Sequence, residues 1–278
     1  MDYRKITSLS NPQIKEAVTI REAGRKKGRS TFLIEGVHLI ESAIRAGAEI
    51  DRVFFTGSFS AKREGQGILK TLAKTNRNVF EVAPRVLNKI ADTDTPQGAV
   101  AIVTYFSPAL ATLQLEEPPL IVVADGIQDP GNLGTIIRTS DAAGAGGVLL
   151  LPGACDPFTS KTVRATAGSI FNIPVVQTDR QNLLEWIGKR KIHLAVTAAD
   201  APNSVFDADL GVPVALVFGN EARGVSESLR KAADLIVKIP VYGKAESLNV
   251  ATSAAVCLYE AVRQRRKTSP APAEPQPQ

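Results

Sequence analysis

The second half of the chain carries six continuous apolar runs, LIVVADG, GVLLL, PVVQ, IHLAVTAA, VALVFG and LIVKIP. They do not alternate polar with apolar residues, as a strand wetted on one face would. Strands that are apolar throughout need cover on both faces, and parallel strands need long crossovers to connect them. Helix-like stretches supply those crossovers: NLGTIIRTSDAAG, SKTVRATAGSIF, NLLEWIGKRK and SESLRKAA, then a long final amphipathic segment, SLNVATSAAVCLYEAVRQRRK. The pattern predicts an α/β domain built on a parallel sheet with helices on both sides.

The first half reads as a smaller α/β domain. FLIEG, RVFFTG, NVFEV and GAVAIVTY are strand candidates, and VHLIESAIRAGA and GILKTLAKTN are helix candidates. SPALATLQLEEPP breaks the rhythm with prolines, and the Pro-rich end TSPAPAEPQPQ lacks the apolar residues needed to fold. The expected division is a domain over 1–106, a linker over 107–118, a second domain over 119–267 and a disordered tail over 268–278.

Charge narrows the partners. The net charge is +5, and residues 1–31 account for it, with eight Lys or Arg against Asp2, Glu16 and Glu22. A basic arm containing Arg25, Lys26, Lys27 and Arg29 fits a polyanionic partner, or a solvated helical face. No apolar run approaches the roughly 20 residues that span a bilayer. The polar start MDYRKITSLSNPQIKEA lacks a signal-peptide core, so the cytoplasm is the expected compartment. Cys155 and Cys257 are too few for a disulfide framework or zinc cluster and are expected to be small buried hydrophobes. His38 and His193 have no metal-ligand spacing, and no metal is expected.

The glycines invite a phosphate-loop reading, which the sequence order excludes. GAGG at 144–147 follows a helix and precedes a strand, the reverse of a dinucleotide-binding turn; it is a helix C-cap and turn. There is no G-x-x-x-x-G-K-[ST] and no G-x-S-x-G, so a P-loop and a serine-hydrolase elbow are both absent. What remains is three strand ends flanked by polar residues: DPGNLGTIIRT (129–139), FGNEARGVS (218–226) and IPVYGKAESLNVATS (239–253). Gly131 and Gly134 would let the backbone turn near a ligand, with Asn132 and Arg138 opening a helix. Gly219 and Gly224 flank Asn220, Glu221 and Arg223. Ser247 is a candidate N-cap for the final helix, with Asn249 in its first turn.

In this order and near this spacing, the three segments resemble the three motifs of the SpoU/TrmH-type RNA 2′-O-ribose methyltransferases, a branch of the trefoil-knotted methyltransferases. The resemblance covers roughly 119–266. Residues 1–105 resemble, less specifically, the family's N-terminal RNA-binding domain, most clearly at STFLIEGVHLIESAI. Ala222 stands where the family usually has Gly, and Ala251 where Ser is frequent; neither removes an acting polar group.

The resemblance implies a knotted C-terminal domain, S-adenosylmethionine as cofactor, an RNA substrate (ribosomal first, transfer RNA second) and a homodimer paired through the knot region. Carried over, Gly219, Ile239 and Leu248 would contact the cofactor largely through backbone groups, with Thr197 or Ala198 near its adenine. Arg138 would orient the ribose hydroxyl and stabilise developing negative charge, or act as base. The second role is demanding for a group with a pKa above about 12. Asn132 would hold Arg138 or the ribose, and Glu221 would orient Arg138 or the RNA. Arg223 would meet a phosphate, and Ser247 and Asn249 would complete the polar wall. Two other readings stand beside this one: a non-catalytic RNA-binding or ribosome-assembly factor, and a base-nitrogen methylase on the same fold.

Overall fold

The computed structural model describes residues 3–23, 30–75, 78–105 and 107–268. They fall into two compact units, one drawn from 3–107 and 156–172, the other from 108–155 and 173–268.

The first unit begins β1 (Arg4–Ile6), α1 (Pro12–Ala23), β2 (Ser30–Glu35), α2 (Val37–Arg45) and β3 (Glu49–Phe55). It continues α3 (Gly57–Ser60), α4 (Arg63–Thr75), β4 (Val79–Val82), α5 (Pro84–Ile90) and β5 (Ala99–Tyr105). Its sheet is mixed, in the order β1-β4-β3-β5-β2, with β5 antiparallel to both of its neighbours. Helix α2 lays Leu39, Ile40 and Ala43 into the core, the i, i+1, i+4 stripe of an amphipathic helix. Phe54 and Phe80 stack at 5.8 Å on adjacent strands.

The second unit opens with β6 (Leu120–Asp125), α6 (Pro130–Ala142) and β7 (Gly147–Leu150). The chain then leaves to form α7 (Ser160–Thr166), which belongs to the first unit. There Phe158 sits 5.1 Å from Phe32 and 5.0 Å from Tyr105, and Arg164 pairs with Asp92. The stretch lies inside the expected domain over 119–267, and its aromatic residues bury beside Phe32 and Tyr105. The chain returns as β8 (Val175–Gln177), α8 (Arg180–Arg190), β9 (His193–Thr197), β10 (Asn203–Ser204), β11 (Val214–Gly219), α9 (Glu227–Ala232), β12 (Leu235–Lys238) and α10 (Val250–Thr268).

All seven strands of this second sheet are parallel, in the order β10-β12-β9-β11-β6-β7-β8. Every residue of β6 and β11 is buried, as continuous apolar strands require. Leu183, Trp186 and Ile187 of α8 and Leu229 of α9 join one face, with Ile121, Val123, Ala215 and Val217. Because side chains alternate along a strand, Val122, Leu216 and Phe218 belong to the other face. Helix α10 buries Ala254, Cys257, Leu258 and Ala261 and packs on α6 and β11. Cys257 is buried as expected, but Cys155 is half-buried, at the exit from β7.

Helix α6 is punctuated as its sequence prescribes. Asp129 caps it by accepting from the Asn132 backbone N–H at 2.8 Å, Pro130 follows at the first helical position, and Gly144 ends it with φ +69°. Gly131 and Gly134 lie inside this helix, not in a turn; the left-handed glycine of the approach is Gly126, φ +73°. At the opposite end of the sheet, the half-buried Arg265 of α10 donates to the carbonyls of Pro119 (3.0 Å), Val212 (2.8 Å), Leu210 (3.2 Å) and Pro118. Burial pushes its guanidinium pKa below the ordinary arginine value.

Candidate active site

The carboxyl ends of β6 and β11 are neighbours, Asp125 beside Gly219. Crevices at the carboxyl ends of parallel strands are where α/β sheets bind ligands. The loop leaving β11 is tight: Asn220 and Gly224 exchange backbone hydrogen bonds of 3.0 and 2.8 Å. The Asn220 side chain holds it from within, accepting from the N–H groups of Ala222 (3.0 Å) and Arg223 (3.1 Å) and donating to the Gly126 carbonyl (2.8 Å). Gly224 adopts φ +69°, a conformation glycine takes without strain. Gly219 is required for a different reason. A Cβ there would lie 2.2 Å from the backbone of Gly224 and of Val225.

This loop projects Glu221 onto the start of α6. Its carboxylate accepts from the Asn132 amide (3.0 Å) and from the backbone N–H groups of Gln128 and Asp129 (both 3.2 Å). Partial burial opposes the charge, but the Asn132 bond, with backbone N–H donors from Glu221, Gln128 and Asp129, outweighs it; the Glu221 pKa is lowered. Asn249 completes the chain of contacts by donating to the Asn132 side-chain oxygen at 2.9 Å. Its own oxygen accepts from the N–H groups of Ala251 (2.9 Å) and Thr252 (3.3 Å), so Asn249 is the cap of α10. The expectation that Ser247 would cap this helix with Asn249 inside it is corrected by two residues. The asparagine amide caps with its oxygen and donates sideways from its nitrogen, two separate atoms that reach different partners.

Beside this network lies a cleft of about 740 Å³. Thr197, Ala198, Gly219, Ile239 and Leu248, the five positions assigned to a cofactor, all line it, together with Glu221, Ser247 and Asn249. The Thr197 hydroxyl donates to the Val217 carbonyl at 2.8 Å, which locks its rotamer at the rim. Leu248 is 39% exposed, so its apolar surface faces the cleft and solvent and is not buried in the core.

Arg138 is not part of the Asn132–Glu221–Asn249 network. It lies exposed on α6, about 9 Å further along the axis than Asn132 and about 120° around it. Arg223 projects from the β11 loop, also exposed. Arg25, Lys26, Lys27 and Arg29 lie outside the described residues. Sequence reasoning assigned no role to Asp129 or Asn220, which hold the site together. An Asp directly before Pro at a helix start was the available signal for the first. Asn220 was legible only as part of its loop. Among the described residues, no three His, Cys, Asp or Glu side chains converge in a way that could hold a metal ion.

Residues 119–259 match the SpoU rRNA Methylase family, and residues 11–101 match the MRM3-like substrate binding domain. A 23S rRNA (guanosine(2553)-2′-O)-methyltransferase of Bacillus subtilis is 32% identical, over 92% of this chain and 98% of its own. A 23S rRNA (uridine(2479)-2′-O)-methyltransferase of Streptomyces viridochromogenes is 33% identical, over 94% and 93%. The crystal structure of an AdoMet-bound rRNA methyltransferase from Sinorhizobium meliloti superimposes with a TM-score of 0.81 at 32% identity, over 94% of this chain and 97% of that one. With the glycine-tight β11 loop, the asparagine bridge and the cleft all in the matched region, this chain belongs to the SpoU rRNA methylase family.

Proposed function

We propose that this protein is an S-adenosylmethionine-dependent methyltransferase acting on a ribose 2′-hydroxyl of ribosomal RNA. The observation that carries the reading is the Glu221–Asn132–Asn249 network, one residue from each of the three motif segments, set at the edge of a ligand-sized cleft. The relatives named above act on a guanosine and a uridine, which differ in the base and share the ribose. That supports a site addressed to ribose rather than to a base.

The cleft suits the cofactor. Its volume lies within the range of small-molecule sites, and it combines apolar walls (Ile239, Leu248) with the close backbone approach permitted at Gly219. When bound, the cofactor supplies an electrophilic methyl group. The protein's work is to place a weak nucleophile in line with it and to tolerate the charge that develops as the hydroxyl loses its proton. Asn132 is held from both sides, by Glu221 and Asn249, so its rotamer is set before substrate arrives. Within one chain Arg138 stands apart from this network, so we assign to the Arg138 of a second copy the positive charge that stabilises the developing oxyanion.

The enzyme is a homodimer on this reading. Arg138 stands apart from the network, and α10 leaves Ala255 and Val256 half-buried and Tyr259 52% exposed on one stripe, a surface for a second copy to cover. Its C-terminal region is a trefoil knot. Support comes from β11 lying between β6 and β9, and from the 239–249 segment passing beside the β11 loop before α10 docks on α6. A ribosomal substrate supports a cytoplasmic location. The test is mass-spectrometric mapping of 2′-O-methyl sites in rRNA from cells with and without the gene. One ribose should lose its methyl group in the deletion strain and regain it when the purified protein and cofactor are added. A missing base methyl, or no missing methyl, would overturn the reading.

A further inference from the structure

The β11 loop separates the cofactor cleft from a second one, of about 480 Å³, at the carboxyl ends of β6 and β7 and the start of α8. Its wall contains Asp125, Arg180, Arg223, Ser226 and Arg230. The Asp125 side chain is 2% exposed and ionically paired, with one oxygen on Arg180 (2.8 Å) and the other on the Ser226 N–H (2.8 Å). Arg180 also donates from Nε to the Ser226 hydroxyl at 3.2 Å. The buried carboxylate thus orients the guanidinium while using only part of its five donors, and the Arg180 side chain remains 38% exposed. Arg230 is held elsewhere, its Nη2 on both oxygens of Asp200. Arg223 is exposed on the same wall, and its guanidinium has no hydrogen-bond or ion-pair partner among the described residues.

Two planar forks with donors to spare, one of them pre-oriented, match the geometry of a phosphate oxygen pair. Resting on the RNA reading above, we propose that this second cleft seats a backbone phosphodiester of the substrate RNA, gripped by Arg180 and Arg223, while the neighbouring ribose lies at the Asn132 side of the loop. The β11 loop then serves both clefts. Its backbone shapes the cofactor side, and Arg223 reaches the strand on the other.

The test measures binding of the full-length protein to a labelled single-stranded 20-mer of oligouridylate across a salt series. Arg223→Gln, which disturbs no described side-chain contact, should flatten the slope of log affinity against log salt by about 0.7, the loss of one phosphate contact on a single strand. Arg180→Gln should do the same, and the double variant should lose about twice as much. Arg180→Lys keeps a charge beside Asp125 and separates loss of the fork from loss of folding. Calorimetry with S-adenosylhomocysteine should show unchanged cofactor affinity in all four. Slopes equal to wild type in both single variants would overturn the proposal while leaving the methyltransferase reading untouched. Tight binding of inorganic phosphate with unaltered slopes would also overturn it, marking a small-anion site. Absence of any oligouridylate binding by the wild type would overturn this proposal and the RNA reading together.

Discussion

Asn249 reaches across 117 positions of sequence to donate to Asn132, and the same side chain caps the helix that begins immediately after it. The two tasks use different atoms and are separable. Asn249→Ser should keep most of the cap, leaving urea stability within a few tenths of a kcal/mol, while turnover falls at least tenfold because Asn132 loses its donor. Asn249→Ala should lose both functions, with about 1 kcal/mol of stability gone. Equal turnover in the serine variant and wild type would show that the bridge is structural only.

Glu221 makes a pH-dependent contribution of known sign. Its pKa is lowered below the ordinary value of 4.5 in the folded protein. The stabilisation it brings is present above that value and is lost as pH falls through the folded pKa. Glu221→Gln should therefore destabilise at pH 7, by less than about 1 kcal/mol because the site is largely exposed to solvent. The gap to wild type should close toward pH 3. Urea melts of the pair at both pH values check this; a gap that widened in acid would reverse the sign.

Arg138→Ala should bind S-adenosylhomocysteine normally yet lose on the order of a hundredfold in turnover, as removal of one preorganised electrostatic contact does. Arg138→Lys should rescue little, since an ammonium cannot reproduce the planar fork. A substrate with 2′-deoxyribose at the target nucleotide should accept no methyl group from the wild type. Single-turnover assays with radiolabelled cofactor distinguish these outcomes.

At Gly219 even a methyl group is too much. The added Cβ meets backbone atoms, not a flexible side chain, so the β11 loop must move. Gly219→Ala should weaken S-adenosylhomocysteine binding at least tenfold by calorimetry. Gly224→Ala has open space around its Cβ and meets only the positive-φ penalty, about 1 kcal/mol of stability.

Helix α10 provides a stability test remote from the chemistry. Arg265→Ala strips charged donors from the carbonyls of Leu210, Val212, Pro118 and Pro119 at once. A loss of about 2 kcal/mol or more is expected in urea unfolding, with cofactor affinity per folded molecule unchanged.

The parallel sheet was legible because apolar runs such as VALVFG are long and bounded by turn residues, and all six became strands. The cleft-lining set was legible because three polar strand ends in a parallel sheet must emerge on one side. The two-residue β10 carries no periodicity to read. The cap of α10 was misplaced because Ser247 and Asn249 are both good caps, and only the position of Asn132 in space selects between them. Nothing local in 156–172 says that Phe158 will bury against Phe32, more than a hundred residues earlier.

That excursion bears on how the protein is made and cut. The chain passes between its two units three times, so the first unit lacks part of its own body until synthesis has passed Asn172. A nick in the 107–118 stretch leaves residues 156–172 on the C-terminal fragment, where Phe158 and Arg164 still find Phe32, Tyr105 and Asp92 on the other piece. The two fragments of a nicked molecule should therefore co-elute under native conditions, and a chain begun near residue 110 should expose Phe158 and Phe171 to water. Cutting in the 107–118 stretch therefore does not part residues 1–105 from Phe158 and Arg164, which they hold.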